Sequence, residues 1–141
     1  MTREDYENYL RLFNAKDYDA VFNHFTDDCE VVFAGYCFQG KDTIRKFYDF
    51  FHAHTKETIT LQRFVAGDDT VALEAIVRLE GLKTITPEMM AAMGMPRLAA
   101  MPEGGLFEMQ QFIHYHLENG KFKRAMCAIF EPGTEVISSL P

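Results

Sequence analysis

The chain contains no tryptophan and only three cysteines, Cys29, Cys37 and Cys127. An odd number without CxxC spacing does not make a disulfide framework, so reduced thiols in a cytoplasmic protein are expected. Positive charge is also short. Fourteen Lys and Arg face twenty-one Asp and Glu, for a net charge of −7. That balance argues against a nucleic-acid backbone or an anionic membrane surface as partner. No apolar run reaches the roughly 18 residues of a membrane-spanning helix. The opening Met1-Thr2-Arg3-Glu4-Asp5 is too polar to begin a signal peptide. No internal repeat or low-complexity tract interrupts the chain.

What remains is ordinary globular material. The 141 residues suit a single domain, 48% are hydrophobic, and thirteen are Phe. Thr2 and Asp5 have capping-box spacing, and Tyr6, Tyr9, Leu10 and Phe13 then share one helical face. Asp17 is placed to cap a short second helix with Tyr18, Val21, Phe22 and Phe25 inward. Residues 29–33 read as a strand, Gly35 and Gly40 punctuate a loop, and Ile44, Phe47, Tyr48 and Phe51 stripe a third helix. The period then changes to two. Residues 58–66 and 70–82 alternate around Gly67-Asp68-Asp69, with Val71, Leu73, Ala75, Val77 and Leu79 on one face. Residues 105–117 and 121–131 form a hairpin across Asn119-Gly120, a favoured type I′ turn. Between the hairpins lies an insert at 85–105 with five Met. Thr86-Pro87-Glu88 opens a short helix in it. The insert either closes one end of the core or serves as a pliable lid bordering the pocket mouth.

Several short motifs carry a family resemblance. Tyr9-Leu10-Arg11-Leu12-Phe13 precedes Asp17, Phe25-Thr26-Asp27-Asp28 follows, and Gly40-Lys41-Asp42 precedes Phe47-Tyr48. Asn119-Gly120-Lys121-Phe122 closes the series. In this order they resemble the nuclear-transport-factor-two-like superfamily, which includes ketosteroid isomerases, SnoaL-like polyketide cyclases and scytalone dehydratase. The resemblance implies an α+β fold, a cone-shaped barrel of curved, mostly antiparallel sheet wrapped by three N-terminal helices. It also implies a homodimer built on the outer sheet face. Tyr9 matches the isomerase oxyanion-hole tyrosine and Tyr48 the tyrosine bonded to it. The isomerase general base falls on Phe33 and its second oxyanion donor on Phe112. The last-strand positions that often carry His or Asp in the cyclases fall on Ala125 and Cys127. The familiar acid–base groups are therefore replaced.

If Phe112 occupies a pocket position, strand parity puts Glu108, Gln110, His114 and His116 on the pocket face as well. Phe107, Met109, Gln111, Ile113 and Tyr115 then take the other face, and Met126, Ala128 and Phe130 join them at a dimer contact. A bulge would shift part of this assignment by one residue. On this reading His114 is the general acid or base, because imidazole titrates near neutrality. Tyr9 donates to a developing oxyanion, and Tyr48 supports it. Glu108 orients an imidazole or serves as a second base, and Gln110 bonds a substrate oxygen. His116, Phe33, Phe112 and Cys127 complete the pocket wall. Each has a plainer reading, as a core tyrosine, a paired core histidine or a solvated strand-end carboxylate. His114 and His116 as H-x-H, with Glu108, also have the residue types of a metal site, but no metal is expected. His52 and His54 are expected to diverge into solvent, and Asp27 and Asp28 to cap a helix-to-strand corner.

The function expected is a cofactor-independent lyase, isomerase or cyclase acting on a small hydrophobic cyclic or aromatic molecule. The alternative is a non-catalytic small-molecule binding module on the same fold. A structural or interaction domain, its pocket filled by Phe and Met, is a third reading.

Overall fold

The computed structural model describes residues 1–130 and 138–139. The first helix, α1 (Arg3–Asn14), starts where the capping box predicts. The Thr2 hydroxyl accepts from the Asp5 amide, and the Thr2 amide donates to the Asp5 carboxylate. It buries Tyr6, Tyr9, Leu10 and Phe13. Asp17 caps α2 (Tyr18–Phe22) through the Ala20 amide. Strand β1 (Phe25–Phe33) turns back into β2 (Tyr36–Gln39), and α3 (Lys41–His54) follows. Then come β3 (Thr55–Ala66), β4 (Thr70–Gly81), the short α4 (Pro87–Ala92), β5 (Leu106–Glu118) and β6 (Lys121–Phe130). Residue 131, expected at the end of the last strand, lies outside the described residues.

The six strands form one open, curved sheet in the order β2-β1-β6-β5-β4-β3, with β1–β6 the parallel pair. Register shifts at Phe25/Glu30, Leu61/Arg63 and His116/Leu117 mark bulges, which bend strands and tighten their twist. Asn119 and Gly120 both have positive φ, as a type I′ hairpin turn requires. Strand β2 was expected to be loop. Its flanking glycines read as punctuation, but Ala34 and Gly35 make a tight turn with positive φ at both positions. That turn lays residues 36–39 antiparallel along β1.

The inner face of the sheet, under the helices, is set by pairing. Val71 faces Tyr115, Leu73 faces Ile113, Ala75 faces Gln111 and Val77 faces Met109, and all eight are buried. The β4 face was anticipated; the β5 face is the reverse of the expectation. Gln110 is half-buried, while Glu108, Phe112, His114 and His116 are exposed, and all five lie on the outer face. The physical reason is direct: a strand's side chains alternate, so moving the assignment by one residue exchanges its faces. Opposite an inward row of Val71, Leu73, Ala75 and Val77, the sheet buries Met109, Ile113 and Tyr115 and leaves the two histidines in water.

The core has two parts. One gathers Tyr6, Tyr9, Leu10, Phe13, Val21, Phe22, Ile113, Tyr115 and Phe122 at the far end of β4 and β5. The other gathers Ile85, Met90, Met95 and Met101 of the insert against Phe47, Phe50, Phe51 and Leu79. Thr86 caps α4 and Pro87 occupies its first turn, as anticipated. Arg97 fastens the insert to the β1–β2 turn, donating to the Gly35 carbonyl at 2.8 Å and stacking its guanidinium over Tyr36.

Candidate functional site

The helices and the inner sheet face enclose an aromatic interior. Phe33, Phe47, Tyr48, Phe51 and Cys127 keep part of their surface accessible although they point away from the outside of the sheet. Phe33 and Cys127 are register partners on β1 and β6, so they share one patch of wall.

Two tyrosines from different helices reach this interior. Tyr9 comes from the buried stripe of α1 and packs edge-on to Phe122 at 4.9 Å between ring centres. Tyr48 comes from α3. Both lie against Phe13, Tyr9 at 6.3 Å and Tyr48 at 5.4 Å. Among the described residues neither hydroxyl forms a hydrogen bond, and neither is a buried orphan. Burial raises both phenols well above their ordinary range, with the charge of Glu57 adding to each. They are therefore neutral donors at physiological pH. Tyr6 and Tyr115, nearby, are already satisfied by each other at 3.0 Å.

Beneath Tyr48 lies a buried polar group. The Glu57 carboxylate accepts from Nε2 of His52 at 2.7 Å, and the Tyr18 hydroxyl bonds Nδ1 of the same ring. The His52 and Glu57 side chains are 4% and 14% exposed. Tyr18 and His52 are nearly coplanar, and Tyr48 stacks on His52 at 5.1 Å and 13°. Nε2 donates to the carboxylate, and in a neutral ring Nδ1 is then the acceptor for the Tyr18 hydroxyl. Local structure explains the assembly. Tyr48 and His52 are one helical turn apart on α3. Glu57 shares its strand face with Ile59 and Leu61, and its register partner is Leu79. Lys16, at the end of α1, donates to the Glu57 carbonyl at 2.7 Å, and Asn14 exchanges two hydrogen bonds with Ile59. These bonds hold α1 to β3.

His52 was expected in solvent and is instead buried. His54 does diverge from it, bonding the Phe50 carbonyl. The sequence held a signal. His52 continues the 44–48 row of α3 by another turn, and Glu57 begins the inward alternation of 57, 59 and 61. Gln111 was assigned outward and is 5% exposed, its amide donating to the Met109 sulfur at 3.2 Å. A thioether is a weak acceptor, so this amide holds hydrogen-bonding capacity inside the core.

The remaining candidates are distributed as follows. Tyr9, Tyr48, Phe33 and Cys127 belong to the interior. Burial pushes the Cys127 thiol up to about 12, so it is protonated and a poor nucleophile. Glu108, Gln110, Phe112, His114 and His116 are on the other side of the sheet. There an open trough of about 920 Å³ runs over Val32, Ala72, Glu74, Phe112, His114 and Met126. It is a large, open recess, and its lining also takes in Phe64, Leu73, Ile113 and Cys127 of the inner rows. A dry interior is where donors such as Tyr9 and Tyr48 gain strength, so the interior is the candidate site. His114 and His116 approach each other at 5.4 Å. Among the described residues no three His, Cys, Asp or Glu side chains gather as metal ligands. Asp27 and Asp28 pair with Lys41 and Lys123 at the surface, and those contacts hold both carboxyls below their ordinary range.

Comparison with known proteins agrees with this architecture. A family model described as a SnoaL-like domain matches residues 6–125. No curated protein matches the chain. Among solved structures, an NTF2-like protein of unknown function from Burkholderia pseudomallei K96243 is similar. It has a TM-score of 0.70 and 11% identity, over 92% of each chain. A protein carrying the name polyketide cyclase from Silicibacter sp. TM1040 superposes with a TM-score of 0.69 at 20% identity. That match spans 86% of this chain and 83% of the other. A protein of ketosteroid isomerase-like fold from Catenulispora acidiphila, in complex with trimethylamine, has a TM-score of 0.67 at 13% identity. It spans 91% of this chain and 86% of the other. At these identities the structural likenesses establish the fold, and some relatives on it hold small molecules. Among the described residues no helix is long and apolar enough to cross a membrane.

Proposed function

The chain belongs to the SnoaL-like domain family, and on that premise we propose that it is a cofactor-independent isomerase, lyase or cyclase. Its substrate is a small, flat, hydrophobic molecule carrying a carbonyl or phenol oxygen. Tyr9 and Tyr48 donate hydrogen bonds to that oxygen as negative charge develops on it. Phe33, Phe47 and Cys127 line the apolar remainder of the pocket. One observation carries this reading: two neutral tyrosine hydroxyls, without partners among the described residues, in one aromatic interior. A ligand oxygen in this interior would give both hydroxyls an acceptor.

His114, Glu108, Gln110, His116 and Phe112 have no part in this chemistry. We assign their face to a second copy of the chain. It exposes Val65, Phe112 and Phe130 beside Arg63, Glu74, Arg78 and Glu108, charges of both signs that can complement themselves across a two-fold axis. With its cysteines free, the protein suits the reducing cytoplasm.

A non-catalytic binding module is the second reading. What favours it is that His52 and Glu57 are bonded to each other. The test of the pocket uses two probes, 2-naphthol and naphthalene, titrated by ligand fluorescence. The protein should bind 2-naphthol more tightly. The Tyr9→Phe/Tyr48→Phe double variant should lose roughly tenfold in 2-naphthol affinity, about 1.4 kcal/mol, and keep its affinity for naphthalene. Equal loss of both probes, or binding of neither, would sink the reading.

A further inference from the structure

We infer that Glu57, held by His52 and through it by Tyr18, is the proton acceptor of the interior site. The inference rests on the pocket reading above and supplies the base that the reading leaves unnamed. Three observations point the same way. First, Glu57 faces inward, and its charge adds to the burial that raises Tyr9, Tyr48, Tyr18 and Cys127. It lies in the inward row of Ile59 and Leu61, with its side chain 14% exposed. Second, among the described residues only Oε2 of Glu57 is bonded, to His52, which leaves Oε1 for a substrate proton. Third, the arrangement is built from separate elements. Tyr18 comes from α2, His52 from α3 and Glu57 from β3. A carboxylate this enclosed is kept only with partners, and both nitrogens of the imidazole are committed to the purpose.

The step balances without any further reactant. The substrate C–H bond next to a carbonyl breaks, and its proton forms an O–H bond on Glu57. The C–H electron pair becomes the enolate double bond, and the carbonyl π pair moves to oxygen. Negative charge thus passes from Glu57 to the oxygen bonded by Tyr9 and Tyr48. Return of the proton to a different carbon completes an isomerisation. His52, donating to Oε2, keeps Glu57 oriented. Tyr18 fixes the tautomer by donating to Nδ1, so both are positioning residues. The substrate class that this chemistry serves is a neutral, apolar ketone with an acidic α-hydrogen.

The experiment uses 2-tetralone in D₂O, with α-hydrogen exchange followed by proton NMR and 2-naphthol binding measured beside it. The wild-type protein should exchange 2-tetralone faster than buffer alone. Glu57→Gln should lose about 10²–10⁴-fold of that acceleration while keeping 2-naphthol affinity within a few-fold. Tyr18→Phe, a milder change, covers the case in which Glu57→Gln does not fold. It should slow exchange and displace its pH profile with binding unchanged. Exchange at the wild-type rate in Glu57→Gln overturns the inference. So does an unmoved pH profile in Tyr18→Phe, or a wild-type protein that binds 2-naphthol and exchanges nothing. Loss of 2-naphthol binding by the wild type itself would instead defeat the pocket reading beneath it.

Discussion

On β5, Met109, Gln111, Ile113 and Tyr115 are buried, whereas Glu108, Phe112, His114 and His116, one step along in each case, are exposed. The two sets share a backbone and its hydrogen bonds. They differ in what lies above them. The inner set faces α1 and the Val71–Val77 row of β4; the outer set faces water and the trough. Polar side chains with suggestive chemistry thus lie on the outer face, and the tyrosines whose phenols burial raises lie inside. Titratable residue types mark a site only when burial acts on them.

The sharpest way to break this comparison is to place the same charge on two consecutive residues. Ile113 is 3% exposed, between Leu73 and Cys127. Ile113→Lys puts an ammonium among apolar side chains with no partner. It should cost more than about 4 kcal/mol and in a domain of ordinary stability abolish the cooperative unfolding transition. His114→Lys, the adjacent change, should move stability by no more than about 0.5 kcal/mol. Urea unfolding followed by circular dichroism measures both. Equal effects would mean the faces are assigned wrongly.

That pair also shows what was legible. Period and capping located the four helices and five of the six strands, because Tyr6-Tyr9-Phe13 and Val71-Leu73-Ala75 are unambiguous. The β5 face was legible too: Met109, Ile113 and Tyr115 alternate with Glu108, Gln110, His114 and His116. The resemblance of Phe112 to a pocket position overrode that alternation, and one residue of offset carried five side chains to the wrong side. Tyr9 and Tyr48, singled out by the resemblance, do face inward, because helical stripes tolerate no such slip. His52 and Glu57 were missed for a different reason. Each is polar at the end of an apolar stripe, where solvent is the default, and only α2 folding over them brings Tyr18 into reach. No local pattern records that.

A smaller effect sharpens the inner face. Tyr6 and Tyr115 exchange one hydrogen bond at 3.0 Å in a fully aromatic setting. Tyr6→Phe should destabilise by about 1–3 kcal/mol, because it strands the Tyr115 hydroxyl. Tyr115→Phe added to it should recover part of the loss, since no polar atom is then left unpaired. A double variant less stable than the sum of the two single changes would show that these hydroxyls have other partners.

The smallest change in stability belongs to the outer face, where the consequence should appear in assembly instead. Phe112 is 40% exposed and packs edge-on to Phe130 at 5.5 Å, with Val65 exposed on the same side of the sheet. A monomer gains little by keeping these rings together in water, whereas a second copy would bury them from both sides. Phe112→Lys should therefore leave the monomer's melting temperature within about 2–3 °C, the shift expected of a surface substitution of about 0.5 kcal/mol in a domain of this size. In the dimer the change would remove from each copy the ring that the contact buries and bring a lysine to the contact in its place, beside its register partner Glu74. Light scattering should read a dimer for the wild type and a monomer for Phe112→Lys at micromolar concentration. A wild-type monomer at that concentration removes the second copy from this face. A Phe112→Lys dimer moves the contact elsewhere, and the outer trough then has no assigned occupant.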